Sequence, residues 1–230
     1  YLGLLLPVAV ALVLAGILRV RGGVEWRWVL WAAGCAALML VALIMSWSRG
    51  AWLGFGTAVV VMAVALVLQS GRVGVLAVVL LALLAYLLLA GGLGFVPPAI
   101  IQRFADFLPY LGLADVRGME VTDANFAVLE RMAHWQSALG MWTDHPWLGV
   151  GIGNYEAAYA QYALPMWPLA LGHAHNYYLN IAAETGLLGL VAYLILWGAA
   201  FLVSIRALRR ARGWHWAVAL GVLGALVHLS

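Results

Sequence analysis

Charged residues are scarce in this chain, and lysine is absent from it altogether. Only 9% of the 230 residues are charged, whereas 66% are hydrophobic, which is more apolar surface than a soluble domain of this size can bury. A soluble protein is therefore excluded, and we expect an integral membrane protein. The twelve basic residues are all arginine and are spread between apolar segments. Since no basic face can be assembled from them, we expect no nucleic-acid partner.

Cysteine is nearly absent as well. The single Cys35 lies in an apolar run, so disulfide frameworks and cysteine-based metal sites are excluded and an inert buried thiol is expected. The chain also lacks internal repeats and low-complexity linkers. We therefore predict one all-α membrane domain over residues 1–230, a helix bundle of about six spans with one long extracytoplasmic loop that bears amphipathic helices.

Long apolar runs are what the chain does contain. A helix needs about 20 apolar residues to cross the hydrocarbon core of a bilayer, and six runs qualify or nearly do so. Because the chain begins and stops inside such runs, at Tyr1 and Ser230, we expect a fragment of a longer polytopic protein. The predicted spans are 2–18, 27–47, 51–69, 73–93, 177–204 and 214–230.

The charge on the connections predicts the orientation of the bundle. Three connections that alternate to one side hold eight arginines and one acid, which marks that side as the cytoplasm. The long connection 94–176 then lies outside, and it carries seven acids against three arginines. Its length is typical of a functional loop. Within it we predict one helix over 99–108 and a second from an N-cap at Thr122 or Asp123 to about Thr143.

Two arginines lie in distinctive surroundings, and the first of them, Arg49, is a candidate for binding an anion. Arg49 lies in the tight external turn predicted between the second and third spans, where a guanidinium and the free N–H groups of a helix start can bind a phosphate together. Arg131 shares a face of the second loop helix with Trp135 and Trp142. For both, the alternative is a structural arginine at the interface or over an aromatic ring.

Three closely spaced glycines, Gly149, Gly151 and Gly153, follow the second loop helix. They look like a phosphate-binding loop only superficially, because no strand precedes them and no lysine follows at the required position. We therefore predict a turn built from glycine.

The richest polar segment lies where the long loop re-enters an apolar span. His173, Asn176 (or Tyr177), Asn180 and Glu184 recur at spacings of three or four residues. On a helix they form one polar stripe, which must face protein or a water-filled cavity. His175 is expected to point from the first turn of that helix into the mouth of the cavity.

A general base is the preferred interpretation of His175, because imidazole titrates near neutrality and can take a proton from a hydroxyl. One alternative is a structural, hydrogen-bonded histidine. The other is a zinc site built on His173 and His175. Zinc is disfavoured because the spacing of two residues suits a loop rather than one helical face and because no third ligand is placed.

Four motifs follow one another around the long loop. In chain order they are Ser46-Trp-Ser-Arg49-Gly-Ala-Trp52, then Arg131 with Trp135 and Met141, then His145-Pro-Trp-Leu-Gly149-Val-Gly151-Ile-Gly153-Asn154-Tyr155, and His173-Ala-His175-Asn176 through Glu184-Thr-Gly186-Leu-Leu-Gly189. Their order, spacing and placement resemble the bacterial O-antigen ligase and O-antigen polymerase superfamily, over residues 40–205.

The resemblance implies a fold and a chemistry. The chain would be the C-terminal half of a polytopic enzyme of the bacterial inner membrane, with its active site on the extracytoplasmic side. Such enzymes move a glycan from an undecaprenyl pyrophosphate carrier to a hydroxyl on a lipid or glycan acceptor, without metal or other cofactor. The resemblance places the catalytic base at His175 and the pyrophosphate-binding arginines at Arg49 and Arg131. The supporting residues, assigned from helical spacing, are His173, Asn176, Asn180 and Glu184.

Two alternatives stay open. A ligase and a polymerase share this chemistry and differ only in the acceptor, so the sequence does not separate them. A transporter, lined by the polar stripe, belongs to another class. It predicts paired discontinuous helices and inverted repeats, which the sequence does not display, and it does not explain a large acidic external loop.

Overall fold

The computed structural model describes residues 2–18, 25–70, 75, 79, 115–123 and 125–230. All regular secondary structure in these ranges is helical, which confirms the predicted all-α class. The predicted helix 99–108 and, apart from residues 75 and 79, the predicted span 73–93 lie outside the described residues. The described helices are α1 (Leu2–Leu18), α2 (Trp26–Met45), α3 (Arg49–Ser70), α4 (Phe126–Asp144), α5 (Tyr155–Tyr162), α6 (Tyr177–Arg210) and α7 (Gly213–Leu229).

Each predicted span within the described residues is a helix close to its predicted bounds. In the described part of the chain, three helices are long and apolar enough to cross a membrane: α2, residues Gly50–Gln69 of α3, and α6. The helices α1 and α7 are apolar but shorter. Large apolar side chains are left uncovered on this bundle, for example Leu38 at 75% and Leu68 at 80% exposure. Lipid is the solvent that suits such surfaces.

Two compact units divide the chain. One comprises Tyr1–Pro97 with Gly198–Ser230, and the other comprises Pro98–Trp197. The first contains the apolar helices α1, α2, α3 and α7. The second contains α4, α5 and most of α6, and with them every predicted site residue except Arg49.

Close helix contacts build the core of the first unit. Helix α1 packs along α2 and α7, and α7 also packs on α3. Trp216 is fully buried, and its indole Nε1 donates to Gln69 Oε1 at 2.9 Å, which joins α7 to α3. A Cβ at Gly221 would overlap Val8 of α1, so this small residue is what allows the two helices to approach so closely.

Helix α4 is central to the second unit. One apolar cluster joins it to α5 and α6 through Met141, Tyr155 and Ala183. Another joins its first half to Val116 and Trp167. The predicted second loop helix is therefore confirmed, and its apolar face is covered by protein.

The start of α4 differs from the prediction. Asn125, rather than Thr122 or Asp123, occupies the N-cap position, and its side chain makes no capping bond. Instead its Oδ1 accepts a hydrogen bond from the Thr122 N–H at 2.7 Å. The Asn125 side chain thus closes the turn that precedes the helix. Such a local bond to the backbone competes with the N-cap that the sequence predicted at Thr122 or Asp123. The helix ends at Asp144, one residue from the predicted end.

Helix α6 is interrupted at Gly186, whose backbone angles are φ 64° and ψ −162°. Such an interruption frees backbone groups that must find other partners, and segment 146–151 supplies them. We call this pairing the backbone clasp. Its four hydrogen bonds run from Val150 N to Ala183 O (2.9 Å), Gly151 N to Glu184 O (2.9 Å), Leu187 N to Pro146 O (2.8 Å) and Leu188 N to Trp147 O (3.3 Å).

Glycine is required where the two backbone segments of the clasp meet. A Cβ at Gly149 would overlap the backbone of Ala183 to Thr185, and a Cβ at Gly186 would overlap the backbone of Trp147 and Leu148. The predicted glycine turn is confirmed, since Gly149, Gly151 and Gly153 all have positive φ. Its role is to bring backbone against backbone.

Candidate functional site

The two histidines of the polar segment lie in a turn rather than on a helix. Helix α6 begins at Tyr177, because Asn176 Oδ1 accepts hydrogen bonds from the N–H groups of Tyr178 (3.0 Å) and Leu179 (3.2 Å) and so caps it. The predicted single helical stripe is therefore wrong for His173 and Asn176, and His175 is not in the first turn of the helix.

Asn180, within α6, holds this turn in place. Its Oδ1 accepts a hydrogen bond from the backbone N–H of Ala174 at 2.9 Å, and Ala174 is fully buried. His175 follows with φ 54°, a left-handed conformation that costs energy for a residue with a Cβ. Strain held by surrounding contacts is frequent at functional sites.

His173 is more exposed than His175. Its Nδ1 is bonded to Leu171 O at 3.0 Å, and its ring centroid lies 4.3 Å from that of His175. The structure therefore brings the two imidazoles together.

One ring nitrogen of His175 is buried without a hydrogen bond to any described residue. This nitrogen is Nε2. Burial, the neighbouring His173 and the Arg131 guanidinium lower the pKa of His175 below the usual histidine value, while Glu130 opposes them. The ring is thus neutral near pH 7 and can accept a proton.

Arg131 projects from α4 as an exposed side chain whose charge acts on His175. It is three residues before the buried His134 on the same helix. The structure therefore brings a cation and the candidate base to the same part of the second unit.

Glu184 was predicted to lie on a polar stripe beside His173, but its side chain bonds the start of α5. Its Oε1 accepts a hydrogen bond from the backbone N–H of Tyr155, the first residue of α5, at 3.2 Å. A carboxylate at a helix N-terminus is favourable because the N–H groups there carry partial positive charge. Glu184 therefore fixes the start of α5, whose Tyr155 side chain reaches into the core.

A third imidazole, which the sequence analysis did not assign to the site, lies beside His175. The ring of His134 is 5.4 Å from that of His175 at an interplanar angle of 75° and stacks on Tyr159 at 4.7 Å. His134 is 1% exposed. The sequence signal for it was its position three residues after Arg131, on the covered face of an amphipathic helix.

Three imidazoles in one cluster raise the question of a metal site. No group of three or more His, Cys, Asp or Glu side chains in the described ranges is arranged so that it could hold a metal ion.

Arg49 begins α3 in the first unit, after a turn of three residues that follows α2. The predicted tight turn is confirmed. Ser48 Oγ accepts a hydrogen bond from the Ala51 N–H at 3.4 Å at the start of the helix, and Trp52 Nε1 donates to Leu43 O at 2.8 Å across the turn. The Arg49 side chain lies outside the described part of the structure.

A shallow cavity of about 350 Å³ adjoins the clasp. No charged side chain lines it, so it does not suit a pyrophosphate. The lining residues are Trp142, Thr143, Pro146, Trp147 and Leu187.

The family assignment rests on the stretch of chain that carries these features. Residues 34–194 match the model of the family described as O-antigen ligase. The chain belongs to the O-antigen ligase family. This stretch includes the Arg49 turn, helix α4, the clasp and the turn that carries His173 and His175, so the resemblance noted from the motifs is confirmed.

Membership in the O-antigen ligase family makes the protein a membrane protein of a ligase- or polymerase-like glycosyltransferase family that uses lipid-linked glycans. The long apolar helices agree with a multi-pass membrane protein. Neither the curated proteins nor the solved structures include a match to the chain.

Proposed function

We propose that this O-antigen ligase family member transfers a glycan from an undecaprenyl pyrophosphate carrier to a hydroxyl acceptor, with inversion at the anomeric carbon and without a metal ion. The acceptor oxygen attacks the anomeric carbon as its proton passes to His175 Nε2. The bond between that carbon and the pyrophosphate oxygen breaks on the opposite face, and undecaprenyl pyrophosphate leaves.

The state of His175 is the observation that carries this proposal. A neutral imidazole with a buried, unpartnered Nε2 and a lowered pKa has the properties of a general base, because it is free to accept a proton at neutral pH. Its left-handed backbone, held by the Asn180 bond to Ala174, fixes the ring before substrate arrives.

Two guanidinium groups complete the mechanism. Charge develops on the pyrophosphate as the glycosidic bond breaks, and arginine stabilises such oxygens through paired hydrogen bonds. Arg131 acts electrostatically on His175, which supports a role for it on the donor. Arg49 begins a helix, and a helix N-terminus favours anions. The positive charge of Arg131 also disfavours protonation of His175 before the acceptor binds.

The remaining predicted residues act by support. Asn176 starts α6, Asn180 ties down the turn, and Glu184 caps α5. His173 lies against the His175 ring. We infer that none of these four transfers a proton.

The site would lie on the extracytoplasmic face of the bacterial inner membrane. The arginine-rich connections mark the opposite side as cytoplasmic, and a lipid-linked donor and surrounding membrane lipids are then the partners. The domain is proposed to extend over residues 1–230, with a ligase-like core over 40–205 and the loop over 94–176.

A polymerase with the same chemistry is the alternative within the enzyme class, since it changes only the acceptor. One observation favours the alternative that the protein is a transporter: helix α6 is interrupted at Gly186. However, the clasp already bonds the backbone groups that this interruption frees, whereas discontinuous transporter helices direct them at substrate or ions. The transferase therefore accounts for more of the structure.

Transfer from a synthetic undecaprenyl pyrophosphate-linked glycan, assayed with the full-length protein in detergent or vesicles, tests the proposal. His175→Ala and Arg49→Ala are expected to abolish transfer, and Arg131→Ala to reduce it severely. His145→Ala and Arg117→Ala are the matched controls, because both side chains are exposed and lie outside the site. Wild-type transfer by His175→Ala would refute the base assignment.

Two further readouts test the finer claims. The anomeric configuration of the product, measured by NMR, is expected to be opposite to that of the donor. Transfer is expected to persist in EDTA, and its loss on chelation with recovery on adding a metal ion would overturn the metal-independent mechanism. Comparing lipid and lipid-linked glycan acceptors separates a ligase from a polymerase.

A further inference from the structure

His134 is a buried titratable group that the proposed mechanism does not use. Its ring lies between two partners, stacked on Tyr159 at 4.7 Å and edge-on to His175 at 5.4 Å. Since His175 Nε2 has no hydrogen-bond partner among the described residues, no bond at that atom orients the ring. Besides the held backbone, contacts with the rings of His134 and His173 therefore help to orient it.

Tyr155 locks the His134 ring. Its hydroxyl donates to the backbone carbonyl of His134 at 3.1 Å and also lies 3.0 Å from His134 Nδ1. Because the hydroxyl has a single proton, Nδ1 must carry a proton and donate it to the hydroxyl oxygen. The two contacts thus fix both the tautomer and the orientation of His134.

His134 is also kept uncharged. Burial, His175 and His173 lower the pKa of His134 to about 4. Among the described residues, the other titratable or charged groups around these rings are Glu130 and Arg131 on α4 and Tyr155 and Tyr159 on α5. A neutral His134 adds no repulsion to the positive charge that His175 acquires when it takes the acceptor proton.

We propose that His134 is a positioning residue for the transfer reaction: locked by Tyr155, its ring holds the His175 ring so that Nε2 is presented to the acceptor hydroxyl. This inference rests on the proposed role of His175 as the base. His134 itself gains and loses no proton during transfer. The Glu184 bond to the Tyr155 N–H extends the same support to α6.

Three single variants separate the parts of this arrangement. His134→Phe keeps a ring against His175 and Tyr159 but cannot bond Tyr155, and Tyr155→Phe removes that bond together with the one to the His134 carbonyl. His134→Asn keeps a polar group near the hydroxyl but removes the ring. Each is expected to lower kcat about tenfold with the donor KM within twofold, because misplacement affects the reacting geometry rather than donor binding.

A double-variant cycle identifies the shared bond. If His134 and Tyr155 act on the His175 ring through the bond at His134 Nδ1, His134→Phe with Tyr155→Phe loses no more kcat than Tyr155→Phe alone. Independent losses that multiply, or wild-type kcat in both single variants, would overturn the inference. Melting temperatures of the purified variants, compared with the wild type, separate a positioning effect from general destabilisation.

Chemical labelling gives a readout that does not depend on transfer. Carbethoxylation of His175, followed by mass spectrometry, is expected to be several times faster in His134→Asn, where the covering ring is gone, than in the wild type. An unchanged rate contradicts the inference.

His175→Ala in the same series separates the two proposals. If His175→Ala is inactive while the His134 and Tyr155 variants keep wild-type kcat, the positioning role fails and the proposed function stands. If His175→Ala transfers glycan normally, the base assignment fails, and the positioning role fails with it.

Discussion

The side chain of Asn180 accepts a hydrogen bond from the backbone N–H of Ala174 at 2.9 Å. This bond joins the first turns of α6 to the residue between His173 and His175. It explains how a loop residue, His175, can be held in a left-handed conformation without glycine.

Replacing Asn180 tests this bond. Asn180→Ala leaves the N–H of fully buried Ala174 without its acceptor, which costs about 1–3 kcal/mol, so we expect kcat to fall at least tenfold. Asn180→Asp keeps an oxygen acceptor and is expected to retain more activity. Transfer kinetics and thermal melting are the measurements, and equal activity of Asn180→Ala and the wild type would contradict the prediction.

The clasp offers a set of glycine substitutions with a built-in control. Gly149→Ala and Gly186→Ala add a methyl group that overlaps backbone and also forces a left-handed alanine, so we expect destabilisation of about 3 kcal/mol or more, or failure to fold. At Gly153 φ is also positive, but no atom lies within 4 Å of the added Cβ. Gly153→Ala therefore carries only the backbone cost of roughly 1–2 kcal/mol. Melting curves that rank Gly153→Ala equal to the other two would disprove the close backbone approach.

Glu184 provides a test of hydrogen bonding against charge. Glu184→Gln keeps the oxygen that accepts the Tyr155 N–H bond, whereas Glu184→Leu removes it. We expect a small loss of stability and activity in Glu184→Gln and a loss of about 1–3 kcal/mol with reduced kcat in Glu184→Leu. Matching losses in the two variants would mean that the charge, not the bond, is what matters.

The pH dependence of transfer is expected to follow the neighbours of His175. Its pKa is lowered by burial, then by His173 and Arg131, and raised by Glu130, so kcat should be retained below the ordinary histidine pKa of about 6.5. Removing the cation in Arg131→Gln raises this pKa, so the acid limb of kcat moves to higher pH. Removing the carboxylate in Glu130→Gln lowers the pKa, and the limb moves to lower pH.

These opposite shifts are measured as kcat profiles from pH 4 to 8, at saturating donor. Glu120→Gln, an exposed acid outside this group, serves as the control and should leave the limb in place. Shifts in the same direction for both variants would exclude His175 as the titrating base.

Short-range patterns determined most of the fold. Apolar runs of sufficient length predicted the helices at Leu2–Leu18, Trp26–Met45, Arg49–Ser70, Tyr177–Arg210 and Gly213–Leu229, because the bilayer imposes one length and one composition on any helix that crosses it. The turn at the three glycines after α4 was also predicted, because glycine adopts positive φ without steric cost. Family membership followed from motif order alone.

The interior of the site required the tertiary structure. Periodicity placed His173 and Asn176 on a helix, but the Asn176 side chain caps α6 instead and leaves both before it. The spacing of residues in the sequence did not predict that the segments around Gly149 and Gly186 pack backbone to backbone. It also did not predict that Glu184 bonds the start of a helix 29 residues earlier in the chain. Nor did it connect His134 to His175, which are distant in sequence and meet edge-on in space.

The sequence by itself determined which segments are helical and which family the protein belongs to, since both depend on local composition and motif order. Only the tertiary structure decided which side chains share one site, because long-range backbone and ring contacts set that geometry.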